Sequence, residues 1–404
     1  MTCVTTALRT WWQRRLLAAG SSTLAGVLAA VTGGHLPAVI TIAALGAGML
    51  GASLLLAWAA DAAEVDLSGR IVIMAVALAA VLPELTVELQ LAVTRQAEYV
   101  TANITGATRL LLTAALGLPA FGVLLTRSKR GGAAPEQAVT PARRLDLAVL
   151  GLAALGALAV AAWGKLTVVE GAGFGALYLV YALGGRDTDD HQQAGTGVAA
   201  QIASLRSTTR RRLCAVMFTG AVLAVLVIAR TFPEQLLSAG RATGADSYLL
   251  IQFIIPIFTE TPELTVAATL VRNRSPAQGI SLLLASSVIQ STLVMMAIPG
   301  AYLVGGGGPV LALTGRERVE VLLTAATILL SVAALATLRA EPIDGWILMA
   351  AFGAETIIPA WQCRLAVALI LLVFAADLFV SRRRYLIAMA TALPTPARLL
   401  HRKG

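Results

Sequence analysis

A chain of 404 residues that is 57% hydrophobic and only 13% charged, with a mean hydropathy of +0.79, lies outside the composition of water-soluble domains. Its net charge of +9 needs no nucleic-acid partner if the basic residues sit beside anionic lipid, and Cys3, Cys214 and Cys363 are too isolated to suggest a disulfide framework. The composition describes a polytopic membrane protein.

Apolar runs long enough to cross about 30 Å of hydrocarbon as helices recur along the chain. In lipid every backbone polar group must be satisfied internally, and these runs lack the two-residue alternation of a barrel, so an all-α bundle is expected. The first half predicts spans near 16–33, 37–60, 71–94, 98–126, 144–163 and 167–184. The second half predicts spans near 212–230, 246–271, 276–303, 318–338, 343–358 and 363–381, for about twelve transmembrane helices. RTWWQRRLL before the first run could open a signal peptide, but the next apolar segment follows so closely that a retained span is favoured.

Alternate loops divide the basic residues unequally. Arg9, Arg14, Arg15, the 127–130 RSKR segment, Arg143, Arg144, Arg210 to Arg212 and the SRRR and HRKG clusters of the tail all fall on one side. The positive-inside rule makes that side cytoplasmic, with both termini on it, as in a bacterial-type plasma membrane. Residues 185–211 are the longest polar connection and read as a flexible cytoplasmic linker between two halves.

Within the third predicted span the chain writes VLPELTVELQLAVTR (81–95), and within the eighth TETPELTVAATLVR (259–272), repeating PELTV. Placing Pro83 on Pro262 also pairs Leu91 with Leu270 and Arg95 with Arg274, and both copies continue into a hairpin and another long apolar helix. Pro and Glu are scarce in this chain, so their shared placement carries information. Five spans separate the copies, an odd number, so they are inverted in the membrane. Transporters built from inverted repeats place their substrate near the midplane where the repeats meet.

The natural parsing is a segment 1–36 with an extra helix, a first repeat 37–184 containing the 71–126 pair, and the linker 185–211. An inverted repeat 212–358 containing the 246–303 pair follows, then 359–404 with a last helix and the basic tail. Within a span, Pro frees a carbonyl one turn earlier and Glu adds a carboxylate, an oxygen set suited to hard cations. The competing reading makes the prolines packing kinks and the glutamates structural. An ionisable group in hydrocarbon is costly, however, and usually marks a pathway.

These residues resemble the calcium/cation antiporter superfamily, which includes sodium/calcium and calcium/proton exchangers. Its two inverted repeats each carry a pattern near G-T-S-x-P-E and, on the next helix, G-S-N. Here they read AAVLPE (79–84) with ITGATRLLL from Ile104, and FTETPE (258–263) with LASSVIQ from Leu284. The resemblance implies that Glu84 and Glu263 are the central cation ligands, that Thr259 lines the ion path and that Ser286 is a ligand. Departures are Ala80, Val81, Ala107 and Leu111 in the first copy, and Glu260 for serine and Gln290 for an acidic or amide residue in the second.

Glu88 lies one helical turn from Glu84, and Arg109 lies about as far beyond the hairpin as Glu84 lies before it, so Arg109 is expected to pair with Glu88 or Glu84 as an internal cation or a structural one. Four carboxylates, Glu84, Glu88, Glu260 and Glu263, cannot all stay ionised without a cation, so protons should compete with metal. Glu355, near a proline, could be an accessory proton site or a packing residue. Asp61, Glu64, Asp66, Glu170, Asp246, Glu317 and Glu320 read as interfacial.

The expected function is therefore antiport of Ca²⁺ or Na⁺ against protons by alternating access, with no cofactor and with ions and lipid as partners. A sodium-coupled calcium exchanger and a degenerate, non-transporting scaffold or sensor remain as alternatives. An enzyme is not expected: His35, His191 and His401 lie far apart in loops and the tail, no GxxxxGK[ST] loop occurs, and GGGG at 305–308 precedes Pro309 as a turn. Oligomeric state is not legible.

Overall fold

The computed structural model describes residues 2–32, 36–66, 70–115, 117, 143–184, 197–272, 276–338, 342–358 and 360–393. They are almost entirely helical. Among them, eight helices are long and apolar enough to cross a membrane, and Val168–Gly184 and Gly345–Ile357 are shorter apolar helices. Within the described residues every predicted span falls on helix.

The helices are α1 (Thr2–Thr32), α2 (Ala38–Ala63), α3 (Arg70–Val93), α4 (Ala97–Arg109), α5 (Arg144–Trp163), α6 (Val168–Gly184), α7 (Val198–Ala203) and α8 (Ser207–Thr243). They continue as α9 (Ser247–Arg272), α10 (Pro276–Ile289), α11 (Met295–Val304), α12 (Gly315–Leu335), α13 (Pro342–Ile357), α14 (Trp361–Ser381) and α15 (Arg383–Ala390). Single π-helical turns extend α4 over Leu110–Ala115 and join α10 to α11 over Gln290–Val294.

Two expectations change. The predicted linker is not wholly irregular, because Val198, Ala199 and Ile202 on α7 are buried, while 185–196 lie outside the described residues. The predicted span 212–230 is the middle of a 37-residue helix. Nothing in the flanking RSTTRR or TFPEQLLSAGRAT stops it until Gly244, which turns left-handed at φ 72°. The far end of the predicted 98–126 span, from 118 on, lies outside the described residues.

The chain packs as two compact units. One comprises Met1–Gln90 and Asp187–Pro262, the other Leu91–Arg186 and Glu263–Gly404. Both draw on each predicted repeat, since packing does not follow sequence order.

In the first unit α2 packs against α1 and α8. A Cβ on Gly26 would lie 2.6 Å from Gly48 Cα, so the two backbones touch where α1 crosses α2. Phe258 of α9 packs edge-on against Phe232 of α8 at 5.8 Å, holding the turn of α9 that precedes the second PELTV. Arg210 gathers the polar end of this unit. Its Nε and Nη2 each donate to the Asp66 carboxylate at 2.7 Å, and its Nη1 donates to the carbonyls of Ala203 and Leu205.

In the second unit α12 is the central helix, buried along most of its length and packed against α4, α5 and α14. Leu147 and Leu150 of α5, Leu283 and Leu284 of α10, and Ile328 and Val332 of α12 belong to one apolar cluster. Thr314 caps α12 by accepting from the Glu317 amide, and Glu317 returns the bond to the Thr314 amide. Glu317, expected at the interface, thus has a helix-starting role and is buried. A short antiparallel ribbon pairs β1 (Lys165–Thr167) with β2 (Val310–Ala312). Beside it Arg318 donates to the last carbonyls of α5, Ala161 and Ala162, at 2.8 Å each.

Candidate functional site

The PELTV segments are continuous helix. Neither α3 nor α9 ends at its proline: α3 runs on from Pro83 to Val93 and α9 from Pro262 to Arg272. Proline therefore removes one ladder bond in each without breaking the helix. In the register that places Pro83 on Pro262, Val93 falls on Arg272 and Ala97 on Pro276, so both helix ends and both following helix starts coincide. The π turn beginning at Leu110 corresponds to residue 289, and the second π turn begins at Gln290.

The match reaches side chains. Thr113 Oγ1 donates to the Arg109 carbonyl at 2.5 Å, and Thr292, its counterpart in this register, donates to the Val288 carbonyl at 2.5 Å. Each turn thus holds a buried threonine bonded four residues back, a pattern that bends helices, and π turns often mark functional sites. The sequence shows the two threonines, but nothing in it distinguishes this pair from the many others in the spans.

Every predicted site residue is buried. Glu84 is 2% exposed and Glu263 7%, and Glu88, Arg109, Thr259, Glu260, Ser286 and Gln290 are likewise inside. Glu84, Glu88, Thr259 and Glu260 belong to the first unit, and Arg109, Glu263, Ser286 and Gln290 to the second. Each copy pairs its central glutamate with a second carboxylate one turn away. In the first copy it follows, as Glu88; in the second it precedes, as Glu260. Thr259 Oγ1 donates to the Ile255 carbonyl at 3.3 Å, whereas Ser286 Oγ is buried without a hydrogen-bond partner among the described residues. Gln290 lies one turn beyond Ser286, at the start of the π turn.

The second unit holds a charge network that the sequence reading missed. Glu320 on α12, taken as interfacial, is fully buried: Oε2 lies 2.9 Å from Arg109 Nη2 of α4, and Oε1 lies 2.6 Å from Arg364 Nη1 of α14. Arg109 Nε also lies 4.0 Å from Glu355 Oε2 of α13. Arg109 is thus buried as expected, with pairings to Glu320 and Glu355 that its place in the sequence did not suggest. Arg364 Nε donates to the Ile358 carbonyl at 2.8 Å, so it also closes the end of α13. The available signal was the count of acidic and basic residues inside spans, since a buried charge needs a partner.

Beside this network is a cavity of about 40 Å³, whose polar lining residues are Thr105, Thr108, Ser291 and Thr324. Arg109 Nε donates to the Thr105 carbonyl at 3.1 Å, and Thr324 Oγ1 donates to the Glu320 carbonyl at 2.8 Å.

Three of the other predicted interfacial acids have partners at helix ends. Asp66 receives Arg210 and Arg211, and Asp246 starts α9 by accepting the Tyr248 amide at 2.9 Å. The Glu170 carboxylate accepts the Thr167 amide at 2.9 Å.

Residues 36–184 match the sodium/calcium exchanger protein family. A crystal structure of the H⁺/Ca²⁺ exchanger CAX is 30% identical, with a TM-score of 0.88 over 97% of this chain and 99% of that one. The Ca²⁺/H⁺ antiporter protein YfkE matches 85% of this chain and 98% of its own at 14% identity and TM-score 0.65. The sodium-calcium exchanger NCX_Mj matches 83% of this chain and 99% of its own at 15% identity and TM-score 0.52, so these last two speak for the fold alone. A search of curated protein sequences returns no significant match. The repeated helix pair, the buried carboxylates and a near full-length likeness to a solved exchanger converge: the chain is an integral membrane protein of the calcium/cation antiporter superfamily, a family of exchangers and not of enzymes.

Proposed function

We propose that the chain exchanges Ca²⁺ for protons by alternating access, with the Glu84 and Glu263 carboxylates as cation ligands. One observation carries this reading: a Pro-Glu step recurs on two helices in the same register, each glutamate buried in a membrane-spanning segment. Carboxylates beside a freed carbonyl form an oxygen set suited to a hard divalent cation. Thr259, Glu260, Ser286 and Gln290 would supply further oxygens, with Glu88 as an accessory carboxylate; Arg109, the other accessory residue of the sequence reading, has its charge engaged by Glu320 and Glu355. Buried carboxylates that lose their cation favour protonation, which makes the proton the natural counter-ion. The solved exchanger that is 30% identical is named for the same ion pair.

The repeats run over 37–184 and 212–358 in this reading, and the basic clusters hold both termini at the cytoplasmic face of a plasma membrane rich in anionic lipid. Sodium as counter-ion is the second reading, supported by the family match over 36–184. Ala80, Val81, Ala107 and Leu111 weigh against it, because they place no side-chain oxygen on the first repeat where relatives carry one.

The test is reconstitution into proteoliposomes with an imposed pH gradient and a panel of Ca²⁺, Na⁺, K⁺ and Mn²⁺. The expected result is Ca²⁺ flux driven by the gradient without sodium, lost in Glu84→Gln and in Glu263→Gln while both variants remain folded. Strict sodium dependence would select the second reading, flux retained in both variants would remove the site assignment, and no flux for any ion would leave a scaffold.

A further inference from the structure

Four charged side chains from four helices meet inside the second unit: Arg109 of α4, Glu320 of α12, Glu355 of α13 and Arg364 of α14. Glu320 is held at both oxygens by guanidinium groups, at 2.9 and 2.6 Å. Glu355 is held far less. Its Oε1 meets Thr327 Oγ1 at 2.5 Å, while its Oε2 has no hydrogen-bond partner among the described residues and lies 4.0 Å from Arg109 Nε. That Nε has a single proton, donated to the Thr105 carbonyl at 3.1 Å, so the approach to Glu355 is not a hydrogen bond.

Two demands oppose each other at Glu355. Counting charge, two guanidiniums and two carboxylates balance only when Glu355 is ionised. Counting hydrogen bonds, a buried carboxylate with one partner is poorly solvated, and the neutral acid suits the site better. Each state thus has something in the geometry that favours it, as a carboxyl that takes up and releases a proton requires.

Thr327 provides for both states. Its hydroxyl has one proton and lies within reach of two acceptors, the Leu323 carbonyl at 2.9 Å and Glu355 Oε1 at 2.5 Å. When Glu355 is ionised the hydroxyl donates to it. When Glu355 is protonated at Oε1, the acid donates to Thr327 Oγ1 and the hydroxyl turns to Leu323. A rotation of one O–H bond therefore satisfies either state without moving a heavy atom. The charged groups facing Glu355 are Arg109, Glu320 and Arg364, and no group of three or more His, Cys, Asp or Glu suited to a metal gathers among the described residues. The cavity beside the network has room for water, and the buried Ser291 Oγ that lines it has no hydrogen-bond partner among the described residues.

We propose that Glu355 is a reversible proton-binding site on α13, distinct from the Glu84 and Glu263 cation ligands, with Thr327 as its proton-state adaptor. The step is protonation alone: a hydronium ion gives one proton to Oε1, its O–H bond breaks as the new one forms, and a water molecule is left; release is the reverse. As part of an exchange cycle it rests on the antiporter reading, but proton occupancy is measurable without transport.

The experiment is infrared difference spectroscopy of the purified full-length protein between mildly acidic and mildly alkaline buffer. The carbonyl stretch of a neutral carboxylic acid is expected at acid pH and lost at alkaline pH. Because Glu84 and Glu263 can protonate as well, Glu355→Gln should remove one component of that band and not all of it, and Thr327→Val should keep that component but shift it to higher frequency, because the acid loses its acceptor. Glu84→Gln and Glu263→Gln should retain it while losing Ca²⁺-dependent thermal stabilisation. A folded Glu355→Gln protein whose band is the same as that of wild type overturns the proposal. Should that variant fail to fold, a band unshifted in Thr327→Val overturns it as well. Loss of Ca²⁺ stabilisation is read separately, so failure of the cation site and failure of the proton site are distinguishable.

Discussion

Arg364 and Glu320 show what one residue's place in the sequence conceals. Arg364 opens α14 and Glu320 lies in the second turn of α12, and both look like span-end charges that water could reach. Both are fully buried because α12 is enclosed by its neighbours, and each charge is tolerated only because the other is there. Asp66 is the opposite case, a charge at a helix end held by Arg210 and Arg211. The Arg210 hydrogen bonds, aided by Arg211 and opposed by desolvation, lower its pKa from the ordinary 3.8 to about 2. A lowered carboxylate pKa stabilises the fold fully above the ordinary value, and that contribution is lost as pH falls through about 2. Asp66→Asn should therefore lower the melting temperature at neutral pH. Wild type and variant should converge in strong acid, and a constant gap down to that pH would show that the pair is not responsible.

At the scale of elements, hydrophobic run length was enough to place each span, because a helix in lipid has no alternative way to satisfy its backbone. The errors lie where polar residues continue a helix, as at both ends of α8, or where a short apolar stretch finds a surface to cover, as α7 does. The repeat was legible from PELTV, yet the paired π turns and their threonines were not, since a π turn depends on how a helix packs. The prolines permit a test. Pro83→Ala and Pro262→Ala would restore a helix bond to the carbonyls of residues 79 and 258, at a gain of up to about 3 kcal/mol. If those carbonyls serve the cation, each variant should melt higher without Ca²⁺ and gain less when Ca²⁺ is added. An undiminished Ca²⁺ shift would show that the freed carbonyls are not ligands.

For the whole molecule, the charge argument assigns each loop to one face, and the contacts within each unit respect that alternation. Loops 164–166 and 304–317, both placed outside, are joined by the ribbon and by Arg318. Asp66 and Arg210, both placed inside, are paired, and Arg382 of the inner tail donates to the carbonyl of Ala333 near the inner end of α12 at 3.0 Å. Which face is cytoplasmic rests on the basic residues alone. Single cysteines introduced at Ser381 and at Gly307 should therefore be labelled from opposite sides of the cell membrane by an impermeant thiol reagent, Ser381 from within. Labelling of both from one side would refute the alternation, and the reverse sidedness would refute the orientation.

Sequence by itself determined that this chain lives in a bilayer, where its helices run, that it is duplicated, and which glutamates the duplication singles out. Those properties follow from local chemistry: apolar length, backbone satisfaction and the rarity of Pro-Glu in hydrocarbon. Only the tertiary structure decided that Glu320 joins Arg109 to Arg364, that Glu355 faces Thr327 with one oxygen lacking a hydrogen bond, and that matching threonines hold the two π turns. Pairing of buried charges is settled by which helices touch, and residues as distant in the chain as Arg109 and Glu320 carry no local sign that they will meet.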